Sequence, residues 1–384
     1  MLTLLLFLAV LSTLVLIHEL GHFLAARFFG VKAEEFGVGF PPRAIGFVKE
    51  KGKWKRVAGN DTKEYANTIW SINWLPLGGF VRMKGEEGTA LDQDSFNSKS
   101  KIARGIILAA GVIMNWLLAC LILTVGLIVG IRGDLTGLPS HAEVRDRAVE
   151  FVNVVSGSAA ADVDIRIGDR LLRVDNREIT NVVQAQTIIK DEAALVETMQ
   201  VVVQRGEETK TVSVTPRLIE SLGHKGIGVA MANTGKISFA WYRAIPEGVL
   251  MTGRYTWMIV TGFFDLVHNL VAGKSVGADV SGPVGIAVMT GKIAAQGVWP
   301  LLQFAALLSL NLAVINFLPI PALDGGRFLF LAIEAIRGRK ASLKIEARIH
   351  QVGFFLLIGL VLLVTLRDLR QYGGMILTGI KHLI

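Results

Sequence analysis

The sequence predicts a polytopic α-helical membrane protein with about four transmembrane helices, carrying a charged soluble insert between the second and third spans. Three observations predict it. Hydrophobic residues make up 52% of the 384-residue chain and charged residues only 19%, with a mean hydropathy of +0.50. That balance suits a membrane protein with a soluble insert better than a soluble enzyme. The apolar residues are gathered into runs long enough to cross a bilayer as helices at ~1.5 Å per residue. The basic connecting segments all fall on one side if there are four spans, as the enrichment of Lys and Arg in cytoplasmic loops requires.

Residues 1–29 form the first span. No Lys or Arg precedes Arg27, so the charged start of a cleaved signal peptide is missing and the segment is read as a retained helix. Residues 30–104 are basic on balance and lie on the cytoplasmic side. Within them, residues 67–84 are rich in strand formers and carry Pro76 and Gly78-Gly79 as a turn, which predicts a β-hairpin. Residues 105–131 form the second span, with Asn115 the strongly polar residue of its interior. A soluble unit over 132–232 and an amphipathic region over 233–297 follow. In the latter, 248–273 reads as a helix lying on the membrane rather than crossing it. Residues 298–326 hold the third span, 327–348 a basic cytoplasmic loop, and 349–384 the fourth span and a tail. The amino terminus, the insert and the carboxyl terminus then lie outside.

The formal charge is +8, from 40 basic and 32 acidic residues. In a membrane chain this surplus belongs to the cytoplasmic loops, and no nucleic-acid partner is expected. The single cysteine, Cys120, lies in an apolar segment, which excludes an internal disulfide framework and a cysteine-based metal site.

The chemistry starts at His18-Glu19-Leu20-Gly21-His22, an H-E-x-x-H pattern inside the first apolar run. On a helix, His18 and His22 share a face and can converge on one zinc ion. Glu19 can reach a metal-activated water without being a ligand. A polar helix face turned toward other helices is the plain alternative. Ionisable groups in hydrocarbon are costly, which favours the functional reading. A catalytic zinc needs a third protein ligand. Near the third span the acidic candidate is Asp324, in Asn316-Phe317-Leu318-Pro319-Ile320-Pro321-Ala322-Leu323-Asp324-Gly325-Gly326. Its two prolines break the helix, and broken backbone at membrane depth must be covered by protein. The alternative role for Asp324 is to cap the following helix. Asn316, ahead of Asn311, is the candidate for contacting the scissile carbonyl. His141, His224, His268, His350 and His382 are scattered and read as surface or interface residues, His141 without a partner.

Together, H-E-x-x-H in the first span and N-x-x-P-x-P-x-L-D-G in a later one resemble the site-2 protease family of intramembrane zinc metalloproteases. Its bacterial members that clip transmembrane anti-sigma factors match best, and the resemblance covers nearly the whole chain. It implies that His18, His22 and Asp324 bind one Zn2+ and that Glu19 is the general acid/base. It implies single-span protein substrates, such as anti-sigma-factor-like regulators and signal-peptide remnants, already trimmed outside by another protease. The setting it implies is the bacterial inner membrane and its lipid bilayer. The hairpin would dip into that bilayer and hold an unwound substrate against a strand edge, with Gly78, Gly79 and Phe80 as substrate contacts. Glu35 to Phe40 and Ser281 to Ile286 are also family-like.

In the outer insert, Val152 to Val155, Ser158 to Ala161 and Ile167 to Asp175 resemble a bacterial PDZ domain, an α+β unit. A helix from about Val182 to Lys190 and strands Met199–Arg205 and Thr209–Pro216 continue it. Ala159 and Asp164 stand where Pro and Gly are usual, so peptide capture and size filtering of substrates both stay open. A second function class is a membrane scaffold that binds peptide tails through this unit with an idle metal motif. A metal transporter is weaker, because the sequence offers one metal cluster rather than a path of ligands.

Overall fold

In the computed structural model, which describes residues 2–59, 61, 63–86, 92–155, 157–219, 224–274, 281–339 and 342–381, the chain opens with helix α1 (Leu2–Phe28). Strands β1 (Ala33–Glu50), β2 (Lys53–Val57) and β3 (Ile69–Met83) and helix α2 (Lys101–Val129) follow. Next come β4 (Ile131–Asp134), β5 (Glu143–Val154), α3 (Ala159–Asp162), β6 (Arg170–Val174), β7 (Arg177–Glu178) and α4 (Val182–Leu195). Strands β8 (Met199–Arg205), β9 (Glu208–Val214), β10 (Arg217–Ile219), β11 (His224–Gly226) and β12 (Val229–Ser238) complete the middle of the chain. Helices α5 (Trp241–Val271), α6 (Pro283–Ala294), α7 (Val298–Phe317), α8 (Asp324–Arg337) and α9 (Leu343–Lys381) end it. The chain divides into two compact units, one of Met1–Leu123 with Gly248–Ile384 and one of Thr124–Glu247.

In the first unit, Leu2–Phe28, Lys101–Val129, Val298–Phe317 and Lys344–Gln371 are the four helices long and apolar enough to cross a membrane among the described residues. Their ends differ from those expected. The second begins at Lys101 and the last runs well past 366, because helical hydrogen bonding does not depend on apolar side chains. The third stops at Phe317, just ahead of the two prolines expected to break it, and the rest of 298–326 is a turn and the start of α8. Leu318 turns to extended backbone, with ψ 144°, as a residue preceding proline prefers. The second proline, Pro321, keeps the chain irregular until α8 starts at Asp324. Partly buried Arg104 of α2 pairs with buried Glu334 of α8 at 3.1 Å, docking α8 on α2. The family-like Ser281 to Ile286 stretch opens α6. Its Gly282 and Gly285 N–H groups donate to the buried Asp368 carboxylate of α9, at 3.3 and 2.7 Å, which satisfies orphan donors of the helix start.

The expected self-contained hairpin over 67–84 is not what forms. β3 is one long strand in a three-stranded sheet of order β2-β1-β3. The amino-terminal part of β1 registers with both halves of β3: Phe36 with Trp70 and Val81, Gly37 with Ser71 and Phe80. Glu35 to Val38 therefore lies between the two halves that a hairpin would have paired. The reason is packing at glycine. A β-carbon on Gly37 would lie 2.4 Å from the Phe80 ring and 2.7 Å from Ser71 Oγ. Only a strand with glycine there slides into that space. Glu35, itself buried, binds Arg43 through two hydrogen bonds of 2.8 and 2.5 Å and Arg82 at 3.2 Å. Burial alone would raise the Glu35 carboxyl, but the Arg43 and Arg82 charges hold it below the usual carboxylate range.

The second unit is built on a sheet of path β4-β12-β5-β6-β8-β9, with β7 beside β6. Its core gathers Phe151, Leu171, Val174, Ile189, Met199 and Val201 under α3 and α4. Both helices start on side-chain caps, Ser158 for α3 and Asn181 for α4. Buried Asp169 pairs with Arg205 at 2.7 Å. Asp164 takes a φ of +60°, the left-handed conformation that explains why glycine is the usual residue there. His141 lies 3.3 Å from Glu247, so it has a partner that the sequence did not suggest.

Candidate metal centre

The H-E-x-x-H motif sits wholly within α1, and its two histidines are 4% and 5% exposed. Four residues apart on a helix, they lie one above the other on the same face. That face meets α2 at unusually short range, because each helix offers a glycine. A β-carbon on Gly21 would lie 2.4 Å from the Ala110 carbonyl oxygen, and one on Gly111 2.4 Å from His22 Nε2. Gly111 therefore forms the floor beneath the imidazoles.

Asp324 comes to the same point as the first residue of α8. Its Oδ2 lies 2.9 Å from His18 Nε2 and 3.3 Å from His22 Nε2. The two Nε2 atoms are 3.2 Å apart. Ligands ~2.0–2.1 Å from a tetrahedral zinc are separated by roughly 3.3 Å, so these donors already stand at nearly that spacing. Two imidazoles and one carboxylate are also the right donor set for a catalytic zinc, which keeps a fourth position open. Among the described residues this is the one cluster of three such groups.

α2 holds the imidazoles from behind. His22 Nδ1 lies 2.8 Å from the Ile107 carbonyl oxygen, so Nδ1–H is the donor and the Nε2 lone pair faces Asp324. His18 Nδ1 lies 3.3 Å from the side-chain amide of Asn115. Asn115 is fully buried. The amide orientation that serves a metal turns Oδ1 toward His18 Nδ1–H. Ser309 Oγ of α7 donates to the Asn115 backbone carbonyl at 2.8 Å, which ties the third candidate span to this face.

The remaining predicted residues divide. Glu19 accepts a hydrogen bond from the Val81 N–H of β3 at 2.9 Å, one residue from the ligands and at the sheet's edge. Asn316 Nδ2 lies 3.4 Å from His18 Nε2, inside the site. Asn311 instead donates to Leu307 of its own helix at 3.0 Å. Gly78, Gly79 and Phe80 run along α1 just before the motif. Gly78 N–H donates to Ser12 Oγ at 3.3 Å, and a β-carbon on Gly79 would meet Leu16 at 3.3 Å. The Phe80 ring packs at Gly37 within the sheet, and none of the three belongs to the cluster of His18, His22 and Asp324.

Gly111 was not singled out in the sequence, and Asn115 stood out only as a polar residue in a span. Their shared signal is spacing: they are one turn apart on α2, and only contact with α1 gives that spacing a meaning. His350 is no bystander, since its Nδ1 accepts the Ala322 N–H at 2.8 Å. His382 lies outside the described residues.

The sequence pattern of peptidase family M50 matches residues 6–58 and 61–360. A protein of Agrobacterium fabrum named as a zinc metalloprotease is 32% identical, over 96% of each chain. The regulator of sigma-W protease RasP of Bacillus subtilis is 28% identical, over 96% of this chain and 98% of its own. Among solved structures, the PDZ domain of an SdrC-like protein from Listeria innocua is 19% identical. It covers 22% of this chain and 92% of that one, with a TM-score of 0.20.

Proposed function

The chain belongs to peptidase family M50 and is a zinc metalloprotease, and from that premise we propose that it is an intramembrane endopeptidase. Its substrates are single-span proteins, cut within or near their transmembrane segments. The observation that carries this reading is the convergence of His18, His22 and Asp324 to within 3.3 Å of one another. Two of those residues lie in a helix apolar enough to cross a membrane. A soluble protease has no reason to place its ligands there, where unpaired charge is costly.

A zinc ion held by the three donors supplies a Lewis acid and an activated water for attack on a peptide carbonyl. The chain's own residues do the rest. Ile107 and Asn115 fix the imidazole tautomers. Glu19 takes the proton and passes it to the leaving amine. Asn316 donates its amide to the scissile carbonyl. The Gly78 to Val81 edge of β3 receives the unwound substrate as an added strand. In the resting protein that edge is occupied by Ser12 and Glu19, so a substrate strand exchanges its own carbonyls for theirs and frees Glu19 for chemistry.

The Bacillus subtilis relative is named a regulator of sigma-W protease, which supports membrane-bound regulators as the substrate class. We place 30–104 and 327–348 on the cytoplasmic side of a bacterial inner membrane, on the charge of those segments. The unit of Thr124–Glu247 then lies outside as a PDZ-like domain, where it captures peptide ends or excludes substrates not yet trimmed by another protease. Membership of a peptidase family removes the reading as a scaffold with an idle metal motif.

Glu19→Gln tests the mechanism. It should keep zinc, because Glu19 is not a ligand, and lower turnover of a transmembrane substrate by roughly 10²–10⁴-fold. Unchanged cleavage by zinc-loaded Glu19→Gln would reject Glu19 as the acid/base.

A further inference from the structure

The loop that delivers Asp324 turns in a way its residues do not favour. Leu323 N–H donates to the Ile320 carbonyl at 3.2 Å, closing a four-residue turn over Ile320, Pro321, Ala322 and Leu323. Pro321 holds the second position, and Ala322 in the third has a φ of +75°. This is the pattern of a type II turn, whose third position calls for glycine or asparagine. An alanine left to itself prefers negative φ. In the type I turn that results, the peptide linking Pro321 to Ala322 is flipped over. Leu323 is the cap from which α8 starts, and Asp324 is the helix's first residue. A flip alone leaves the ends of the turn nearly in place, but it takes the Ala322 N–H away from α9 and so releases the anchor of the turn two residues before the ligand carboxylate.

Helix α9 supplies what holds the turn. The Ala322 N–H, which the turn's own hydrogen bond does not use, donates to His350 Nδ1 at 2.8 Å. The groove beside it, of about 460 Å³, is lined by Ile320, Pro321, Ile349, Val352 and Leu356 together with Arg348. Without His350 the N–H loses the acceptor it has among the described residues, in largely apolar surroundings where an idle donor is costly. The His350 ring is seated against Phe330 of α8, centroids 5.5 Å apart. Gly353, three residues on, lets α9 come this close, since a β-carbon there would lie 2.4 Å from Pro321 Cβ.

We propose that His350 is a positioning residue for the metal centre: its Nδ1 holds the Pro321–Ala322 peptide in the orientation that sets Asp324 beside His18 and His22. The proposal rests on the reading of Asp324 as the third zinc ligand. His350 touches no reacting atom and acts through the Ala322 backbone. What the turn requires is an acceptor at the reach of Nδ1. An asparagine carbonyl oxygen falls near that point, and a glutamine carbonyl oxygen falls one bond beyond it.

The test is zinc affinity, by chelator competition on the full-length protein in detergent, for wild type, His350→Asn, His350→Gln, His350→Leu and Asp324→Ala. The glutamine and leucine variants should bind zinc about tenfold or more weakly, as for loss of a residue supporting a ligand. The asparagine variant should stay close to wild type. Circular dichroism and the unfolding temperature identify the variants that fold. Asn and Gln are both small polar amides, so general destabilisation would not separate them. If His350→Gln binds zinc as tightly as His350→Asn while Asp324→Ala loses it, Asp324 is a ligand but His350 does not position it. If Asp324→Ala keeps wild-type affinity, the ligand reading fails and takes this proposal with it. Should the leucine variant not fold, the comparison of Asn with Gln decides alone.

Discussion

Gly111 and Asn115 stand one turn apart on α2 and face the two histidines from the same side. Their contributions differ in kind. Gly111 matters for what it lacks, since any β-carbon would enter the space of His22 Nε2. Gly111→Ala should therefore strip zinc from the purified protein, read by elemental analysis, while helix content stays unchanged. Asn115 matters for its amide. Asn115→Ala leaves His18 Nδ1 without a partner and should weaken zinc binding about tenfold, read by chelator competition. At this scale the sequence was legible where the chemistry is local. His18, Glu19 and His22 declare themselves by helical spacing, and Asp324 by being a charge next to an apolar span. Gly111 and His350 were illegible because their roles exist only across helix contacts. A glycine in an apolar helix means nothing until another helix approaches it.

Among the elements, the sheet of β1, β2 and β3 departs furthest from expectation. Strand-forming composition over 67–84 was visible, but pairing is decided by distant partners, here Gly37 and the Glu35–Arg43–Arg82 cluster. That cluster should be a structural keystone of the sheet. Glu35→Ala would leave Arg43 buried without its carboxylate, at a cost of about 3–5 kcal/mol, measurable as a lower unfolding temperature. The same cluster gives a pH dependence. Because the folded protein holds the Glu35 carboxyl below its ordinary range, its stabilisation is complete above the unfolded value of about 4.3. It is lost as the pH falls through the lower folded value. Acid unfolding of Glu35→Gln should accordingly be less steep than that of wild type. The α7 stop was better foretold, since Pro319 and Pro321 allow little else. The length of α2 and α9 was not, because polar residues continue a helix as readily as apolar ones.

For the whole molecule, four helices fit to cross a membrane accompany one candidate metal centre among the described residues, assembled from α1, α2 and the start of α8. On the proposed reading, zinc chemistry at that point would act on chains that are themselves embedded, which would set this protein apart from a soluble metalloprotease carrying the same five-residue motif. The most direct measurement is the position of the cut. A single-span protein with a short outer segment would be reconstituted into vesicles with the wild-type enzyme or with Glu19→Gln, and the products sized by mass spectrometry. The expected scissile bond lies within or next to the substrate's apolar segment of about 20 residues, with product from Glu19→Gln lowered by the same roughly 10²–10⁴-fold. Cleavage confined to soluble sequence away from that segment, or wild-type amounts of product with Glu19→Gln, would contradict it.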